Sequence, residues 1–64
     1  MKIWFTVNKD GSEWIWQIKP IREDDYWLCK YGNKMLLPHG AIEKLTGKKI
    51  SWKDNPLMYE FNVK

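Results

Sequence analysis

The chain holds few side chains that could take part in acid–base or nucleophilic catalysis. His39 is its one histidine and Cys29 its one cysteine. Catalysis needs such groups at a spacing that lets them converge on a reacting atom, and neither residue lies in a recognisable nucleophile or base motif. Cys29 lies in an alternating stretch, where a buried structural cysteine is the more frequent role, and His39 precedes a predicted helix. We therefore predict that the chain is not an enzyme.

Three consecutive acidic residues, Glu23, Asp24 and Asp25, form the densest group of potential metal ligands. Adjacent side chains converge on one cation only if the backbone folds tightly, and the glycine and spacing of a calcium loop are missing. The four glycines are isolated, so no glycine-rich phosphate loop is present either. We expect no metal and no cofactor, and we interpret the acidic run as a solvated loop.

Lysines interleaved with aromatic residues are the remaining pattern with functional meaning. Proteins that hold single-stranded nucleic acid combine a cationic groove with aromatic faces on which bases stack. Two surfaces are candidates, namely one face of the first predicted hairpin and the lysine-rich end of the predicted helix. Lysines after a helix also have a purely structural explanation, because cations stabilise the negative end of the helix dipole. The candidate binding residues are Lys2, Trp4, Gln17, Lys19, Lys34, Lys48, Lys49 and Lys53.

A protein partner is the alternative to nucleic acid. Exposed Trp, Tyr and Met side chains with a few lysines also describe a protein interface. An open sheet edge can pair with a partner strand or with a second copy, so a homodimer through the last predicted strand is a further alternative. Small aromatic-rich domains of this kind suit adaptors or inhibitors of a larger protein, as in phages and mobile elements. The two hypotheses differ in salt dependence, because phosphate contacts weaken steeply as salt rises.

The totals indicate a single small domain over residues 1–64. A domain of about 60 residues buries only about 60% of its unfolded surface, so five Trp, three Tyr and two Phe must supply much of the core. One cysteine excludes an internal disulfide and fits a reducing compartment. Because no signal-like or membrane-spanning apolar run is present, we expect a cytoplasmic protein without a membrane partner. The net charge of +3 is mildly basic.

The first eighteen residues predict an antiparallel hairpin with a two-residue loop at Asp10-Gly11. This register places Phe5 opposite Trp16. One face is then polar apart from Trp4 and Ile15, and the pattern leaves open whether those two residues are covered. A slip of one residue would exchange the faces. The predicted apolar face consists of Ile3, Phe5, Val7, Trp14, Trp16 and Ile18.

The rest of the chain predicts three further main strands and one helix. A charged loop at 21–25 precedes a strand at 26–31, and Gly32-Asn33 predicts a turn that pairs it with 34–37, unless the loop is longer. A helix at about 39–46 follows, and Gly47 suits the left-handed conformation that often ends a helix. A short strand at 50–52 and a last strand at 57–63 complete the order.

These elements predict an α+β, mostly β fold. It would be a small curled antiparallel sheet or open barrel of about five strands, with one short helix (about 39–46) before the C-terminal strand. The element order resembles that of the SH3-like barrels, in which a helical turn precedes the closing strand. This resemblance concerns topology alone. It implies no functional residues, because the acidic specificity loop and paired tyrosines of peptide-binding SH3 domains are missing.

Overall fold

The computed structural model of the chain describes residues 1–61. The expected α+β, mostly β fold with one short helix before the last strand is confirmed. The elements of the described part are β1 (Lys2–Val7), β2 (Glu13–Trp16), β3 (Ile21–Arg22), β4 (Trp27–Leu28), β5 (Lys34–Leu37), α1 (Ala41–Thr46) and β6 (Leu57–Glu60).

Four of the strands form one antiparallel sheet in the order β5-β2-β1-β6. Within the described residues β5 and β6 do not pair with each other, so the sheet stays open and does not close into a barrel. β3 and β4 pair separately as a two-stranded arm between β2 and β5. The last strand is described to Glu60, and its predicted continuation to Val63 lies outside the described residues.

The loop of the first hairpin has three residues, 9–11, and the predicted two-residue loop is wrong. Gly11 takes a left-handed conformation (φ 91°), and its N–H donates to the carbonyl of Asn8 at 2.9 Å. The N–H of Asn8 donates to the carbonyl of Ser12 at the same distance. This is the pattern of a type I turn followed by a left-handed glycine, which closes three-residue hairpins. The extra loop residue shifts the strand register by one.

The shifted register exchanges the two faces of β2. Phe5 lies opposite Ile15 and Trp4 lies opposite Trp16, so the predicted all-apolar face is wrong. We call the side that α1 covers the helix face. It carries Ile3, Phe5, Val7, Glu13, Ile15, Met35, Leu37, Leu57 and Tyr59. The opposite side, the tryptophan face, carries Lys2, Trp4, Thr6, Trp14, Trp16, Lys34, Leu36, Met58 and Glu60.

Both faces of the sheet contain buried residues. On the helix face, Ile3, Phe5 and Ile42 form the centre of the core. On the tryptophan face Thr6 and Trp16 are only 1% and 3% exposed, and Trp16 Nε1 donates to Thr6 Oγ1 at 2.8 Å. The buried indole N–H is thereby satisfied, as burial of a polar group requires.

The second predicted hairpin is wrong, because β4 pairs with β3 and β5 pairs with β2. Gln17 explains the change of partner. Its backbone N–H donates to the carbonyl of Asn33 (3.1 Å), and its side-chain Oε1 accepts from the N–H of Asn33 (3.2 Å). These two bonds hold the start of β5 beside the end of β2. The predicted strand at 26–31 is reduced to β4, and β3 begins in the segment expected to be a loop.

The segment at 50–52, predicted as a short strand, contains no strand. Asp54 Oδ2 accepts hydrogen bonds from the N–H of Ser51 (2.7 Å) and from its hydroxyl (3.3 Å). The backbone N–H of Asp54 donates in turn to the carbonyl of Ser51 at 3.1 Å. Side-chain bonds of this kind favour a turn over an extended strand.

The helix is shorter than predicted at its start and ends as predicted. Gly47 is left-handed (φ 74°), and its N–H donates to the carbonyl of Glu43 at 2.8 Å. At the other end no side chain of α1 caps the helix, and Glu13 of β2 does so. Its carboxylate accepts from the N–H of Gly40 (2.6 Å) and of Ile42 (2.9 Å). No helix in the described part of the chain is long and apolar enough to cross a membrane.

Candidate functional site

The structure distributes the eight candidate binding residues over several surfaces. Lys2, Trp4 and Lys34 lie on the tryptophan face, and Gln17 anchors β5. Lys19 lines a small cavity beside β3 and β4. The remaining three follow the helix, where Lys48 and Lys49 line one cleft and Lys53 lies in the next turn.

The tryptophan face offers little open aromatic surface for stacking. Trp16 is buried, and Trp4 and Trp14 are half buried. The ammonium group of Lys34 lies 5.1 Å from the ring centroid of Trp14 and 5.2 Å from that of Trp16, within the range of a cation–π contact. Lys34 is thus already engaged with the indoles that a nucleic acid base would need.

A cleft of about 370 Å³ lies between the hairpin loop and the end of the helix. We call it the basic cleft after Lys9, Lys48 and Lys49, which line it together with Trp52. Its charge is mixed, because Glu13 and Glu43 line it too and Lys9 Nζ is bonded to Asp25 Oδ1 at 3.1 Å. Two of the predicted lysines, Lys48 and Lys49, line this cleft together with an aromatic ring.

Trp52 already takes part in a structural cluster. The guanidinium carbon of Arg22 lies 4.5 Å from the ring centroid of Trp27 and 4.6 Å from that of Trp52. Arg22 also donates to the carbonyls of Trp52 and Asp54, and Trp27 Nε1 donates to the carbonyl of Val7. These contacts fasten the β3–β4 arm to the sheet and to the turn after the helix.

A second surface, which the sequence analysis missed, is an apolar groove on the helix face. Two adjoining cavities of about 410 and 120 Å³ share Ile3 and Ile15 as their floor. Their volumes together reach the range of ordinary ligand pockets. We define the apolar groove by its floor and by the apolar side chains around it, namely Ile3, Ile15, Met1, Met35, Leu45, Tyr59 and Phe61.

The groove exists because the helix is too short to cover the sheet. Six helical residues extend about 9 Å, less than the width of four strands at about 4.8 Å spacing. Ile42 therefore completes the core near the hairpin loop, whereas Leu45 is 61% exposed and Met35 is 60% exposed. Tyr59 and Phe61 lie against each other, with ring centroids 4.9 Å apart. Contiguous exposed apolar side chains of this kind usually mark an interaction site.

The charged groups that line the apolar groove are basic. Lys34 is the one charged residue among the described lining residues, although its ammonium group lies on the tryptophan face, and no acidic residue is among them. The N-terminal ammonium of Met1 also lies here and donates to the carbonyl of Phe61 at 2.9 Å. The groove therefore combines an apolar floor with a described lining that contains no acidic residue.

The residues considered for catalysis lie apart. The thiol of Cys29 donates to the carbonyl of Tyr31 at 2.7 Å, beside the cavity that Lys19 lines. His39 lines the basic cleft instead, where its exposed ring lies 3.7 Å from a carboxylate oxygen of Glu13. Among residues 1–61, no three His, Cys, Asp or Glu side chains come close enough together to hold a metal ion.

Comparison with known proteins identifies no relative: no family model matches the chain, and no curated protein or solved structure is significantly similar to it.

The sequence contained part of the signal for the groove. Tyr59 and Phe61 share one face of the last predicted strand, and Leu45 belongs to the apolar side of the predicted helix. Alternation of this kind is typical of a half-buried strand and does not show which of these side chains stay exposed. Their exposure follows from the six-residue helix and the four-stranded sheet of the tertiary structure.

Proposed function

We propose that the chain is a non-enzymatic protein-interaction module that binds its partner through the apolar groove. The observation that carries this proposal is the ring of exposed apolar side chains around a floor of core residues. An adaptor or an inhibitor of a larger protein would use such a surface. The free thiol of Cys29 fits a reducing compartment, and the cytoplasm is the location we propose.

The side chains of the groove are suited to a protein interface. Aromatic residues and methionine are enriched at the centres of such interfaces, where tight apolar contacts supply most of the binding energy. Tyr59 and Phe61 already contact each other, so the aromatic pair loses little further freedom on binding. Covering exposed apolar area yields about 25 cal/mol per Å². A partner that covers the groove thus gains binding free energy by burying the apolar area that the short helix leaves exposed.

Site-specific photo-crosslinking tests this proposal in cells that naturally express the chain. Tyr59 in the groove is replaced by p-benzoylphenylalanine, and a matched protein carries the same crosslinker at Tyr31, which is exposed outside the groove. We expect a discrete crosslinked protein from position 59 that is absent from position 31.

The captured protein is then purified, and its affinity for the chain is measured by calorimetry. Leu45→Glu should lower the affinity at least about tenfold, because a carboxylate then lies in the apolar contact. Lys53→Glu, outside the groove, is the matched control. Equal capture from both positions, or unchanged affinity of the Leu45→Glu protein, would refute the proposal.

Binding of nucleic acid at the basic cleft is the second candidate function, supported by the convergence of Lys48, Lys49 and Trp52. Labelled single-stranded and duplex oligonucleotides would be titrated at low and moderate salt. Phosphate contacts predict a steep loss of affinity with salt, and the double substitution Lys48→Glu with Lys49→Glu should abolish binding. No binding at ~10 µM and low salt would exclude this candidate.

A further inference from the structure

The edge strand β5 bounds the apolar groove and has one unpaired side. Gln17 N–H donates to the carbonyl of Asn33, so the backbone groups of Asn33 point toward β2. The direction of these groups alternates along an antiparallel strand. The N–H and C=O groups of Lys34 and Leu36 therefore point away from β2, and no described strand pairs with that side.

The side chains on β5 give this edge little protection. Native edge strands usually carry charges, prolines or bulges that discourage further pairing. Along β5 only Lys34 is charged, whereas Met35 and Leu36 are 60% and 57% exposed on opposite faces of the sheet. The edge thus offers main-chain donors and acceptors together with apolar contacts on both faces.

The charges around β5 define the complementary strand. Lys34 is exposed at the start of β5, and no acidic residue occurs from Tyr26 to Ile42. A carboxylate directly across from a lysine stabilises an antiparallel pair, and like charges there destabilise it. An added strand should therefore place an acidic side chain next to Lys34 and an apolar one next to Met35, over the groove.

The other edge of the sheet is less suited to the same segment. In β6 the outward backbone groups belong to Met58 and Glu60, because the N–H of Phe61 donates to the carbonyl of Met1. Glu60, which lies opposite Lys2, offers an acidic strand no cation to pair with. Pairing of β5 with β5 of a second copy is disfavoured as well, since each copy carries a net charge of +3 and β5 has no acid to pair with Lys34.

We propose that β5 binds an extended, acidic segment of the partner protein as an added fifth strand. The segment alternates apolar and acidic residues, with its apolar side chains extending the floor of the groove beside Met35. This inference rests on the proposed function, because it names the chemistry and the conformation of the partner segment. Backbone pairing supplies affinity, and the alternating side chains supply specificity.

The probe is a capped, fluorescein-labelled octapeptide of alternating Glu and Val, titrated at up to about millimolar concentration, the weak end of specific binding. Two control peptides accompany it, one with Lys in place of Glu and one with N-methylated amides on the pairing side. We expect the Glu-Val peptide to bind, and either change to weaken it at least about tenfold through lost ion pairing or lost hydrogen bonds. The chain's amide NMR signals locate the site: those of Lys34 and Leu36 should become protected from exchange, while those of Met58 and Glu60 stay unchanged.

Two variants test the strand itself. Leu36→Pro removes one outward N–H and leaves the pairing with β2 intact, since proline is tolerated on the open side of an edge strand. It should abolish binding, whereas Leu36→Ala, which keeps the N–H, should bind within a few-fold of the unchanged chain. Lys34→Glu should reverse the preference toward the Lys-Val peptide. The NMR spectrum of each unbound variant verifies its fold.

The inference is overturned by absence of binding, by equal binding of the N-methylated peptide, or by protection at Met58 and Glu60 instead. If sedimentation shows a dimer and the amides of Lys34 and Leu36 are protected from exchange in that dimer, the edge is assigned to a second copy. If crosslinking from Tyr59 still captures a partner in any of these cases, the proposed function stands and only the strand addition falls.

Discussion

At the scale of single residues, Glu13 has a structural role that its position in a strand does not suggest. It is buried, with 8% of its surface exposed, and its two carboxylate oxygens cap the N-terminus of α1. Hydrogen bonds to a charged group are the stronger ones, and leaving helix N–H groups unsatisfied is costly. One side chain thus connects the central sheet to the helix.

Replacing Glu13 should therefore destabilise the fold. Glu13→Ala should lower the free energy of unfolding by about 2–3 kcal/mol, and Glu13→Gln by less, because the amide keeps one acceptor. Urea unfolding followed by circular dichroism measures the change. Glu43→Ala on the exposed side of the helix is the control and should stay within about 0.5 kcal/mol.

Arg22 is the second residue whose contacts span distant parts of the chain. Lysine lacks the planar group that lies close to both Trp27 and Trp52 while donating to two carbonyls. Arg22→Lys should lower the free energy of unfolding by about 1 kcal/mol and change the near-ultraviolet dichroism of the tryptophans. Lys19→Arg, the opposite exchange at an exposed position, is the control and should change neither quantity. An unchanged near-ultraviolet spectrum of the Arg22→Lys protein would show that the cluster does not order the indoles.

Asp10 gives the hairpin loop a dependence on pH. Its carboxylate accepts from the N–H of Ser12 at 2.9 Å, and this backbone hydrogen bond holds the pKa of Asp10 below its ordinary value. A lowered folded-state pKa stabilises the fold above the ordinary Asp pKa of about 3.9, and that stabilisation is lost as the pH falls through the lower folded-state value. NMR titration should give Asp10 a pKa below the ordinary Asp value of about 3.9. A pKa at or above that value would contradict the prediction.

At the scale of elements, the left-handed conformation of Gly11 closes the three-residue loop of the first hairpin. Gly11→Ala should lower the free energy of unfolding by about 1 kcal/mol, because the left-handed conformation is unfavourable for a residue with a Cβ atom. Lys9→Ala in the same loop should cost less, since its ion pair with Asp25 is exposed. Denaturant unfolding compares the two.

The register itself has a direct readout. With the N–H of Asn8 bonded to Ser12, Phe5 and Ile15 form a non-hydrogen-bonded pair, in which the two Hα atoms approach closely. A nuclear Overhauser contact between these Hα atoms is expected. A contact between Phe5 and Trp16 would instead indicate the two-residue loop.

At the scale of the whole molecule, a six-residue helix on a four-stranded sheet leaves the apolar groove open. Leu45→Glu should therefore change the free energy of unfolding by no more than about 0.5 kcal/mol, although leucine is usually a core residue. Binding of a hydrophobic dye should decrease in the same variant. Ile42→Ala, in the buried centre of the core, should cost about 2–5 kcal/mol. Similar losses for the two variants would show that Leu45 belongs to the core.

The sequence by itself determined the kinds of element and several of their ends. Alternation of apolar residues predicted the strands that became β1, β2 and β6, and a glycine at position 47 predicted the end of the helix, because these signals depend on residues close together in the chain. The candidate lysines of the basic cleft were also recognisable, since their neighbours in sequence remain neighbours in space.

Only the tertiary structure decided the hairpin register, the partner of β5 and the extent of the helix-covered surface. Gly11 suits a two-residue or a three-residue loop, and the choice moves Glu13 from a polar face into the core. The Gly32-Asn33 pattern favours pairing β5 with β4, whereas the folded chain pairs β5 with β2 through contacts such as that of Gln17 with Asn33. The groove depends on how the length of the helix compares with the width of the sheet. Each of these is a non-local quantity, fixed by which surfaces pack together and not by the residues that neighbour one another along the chain.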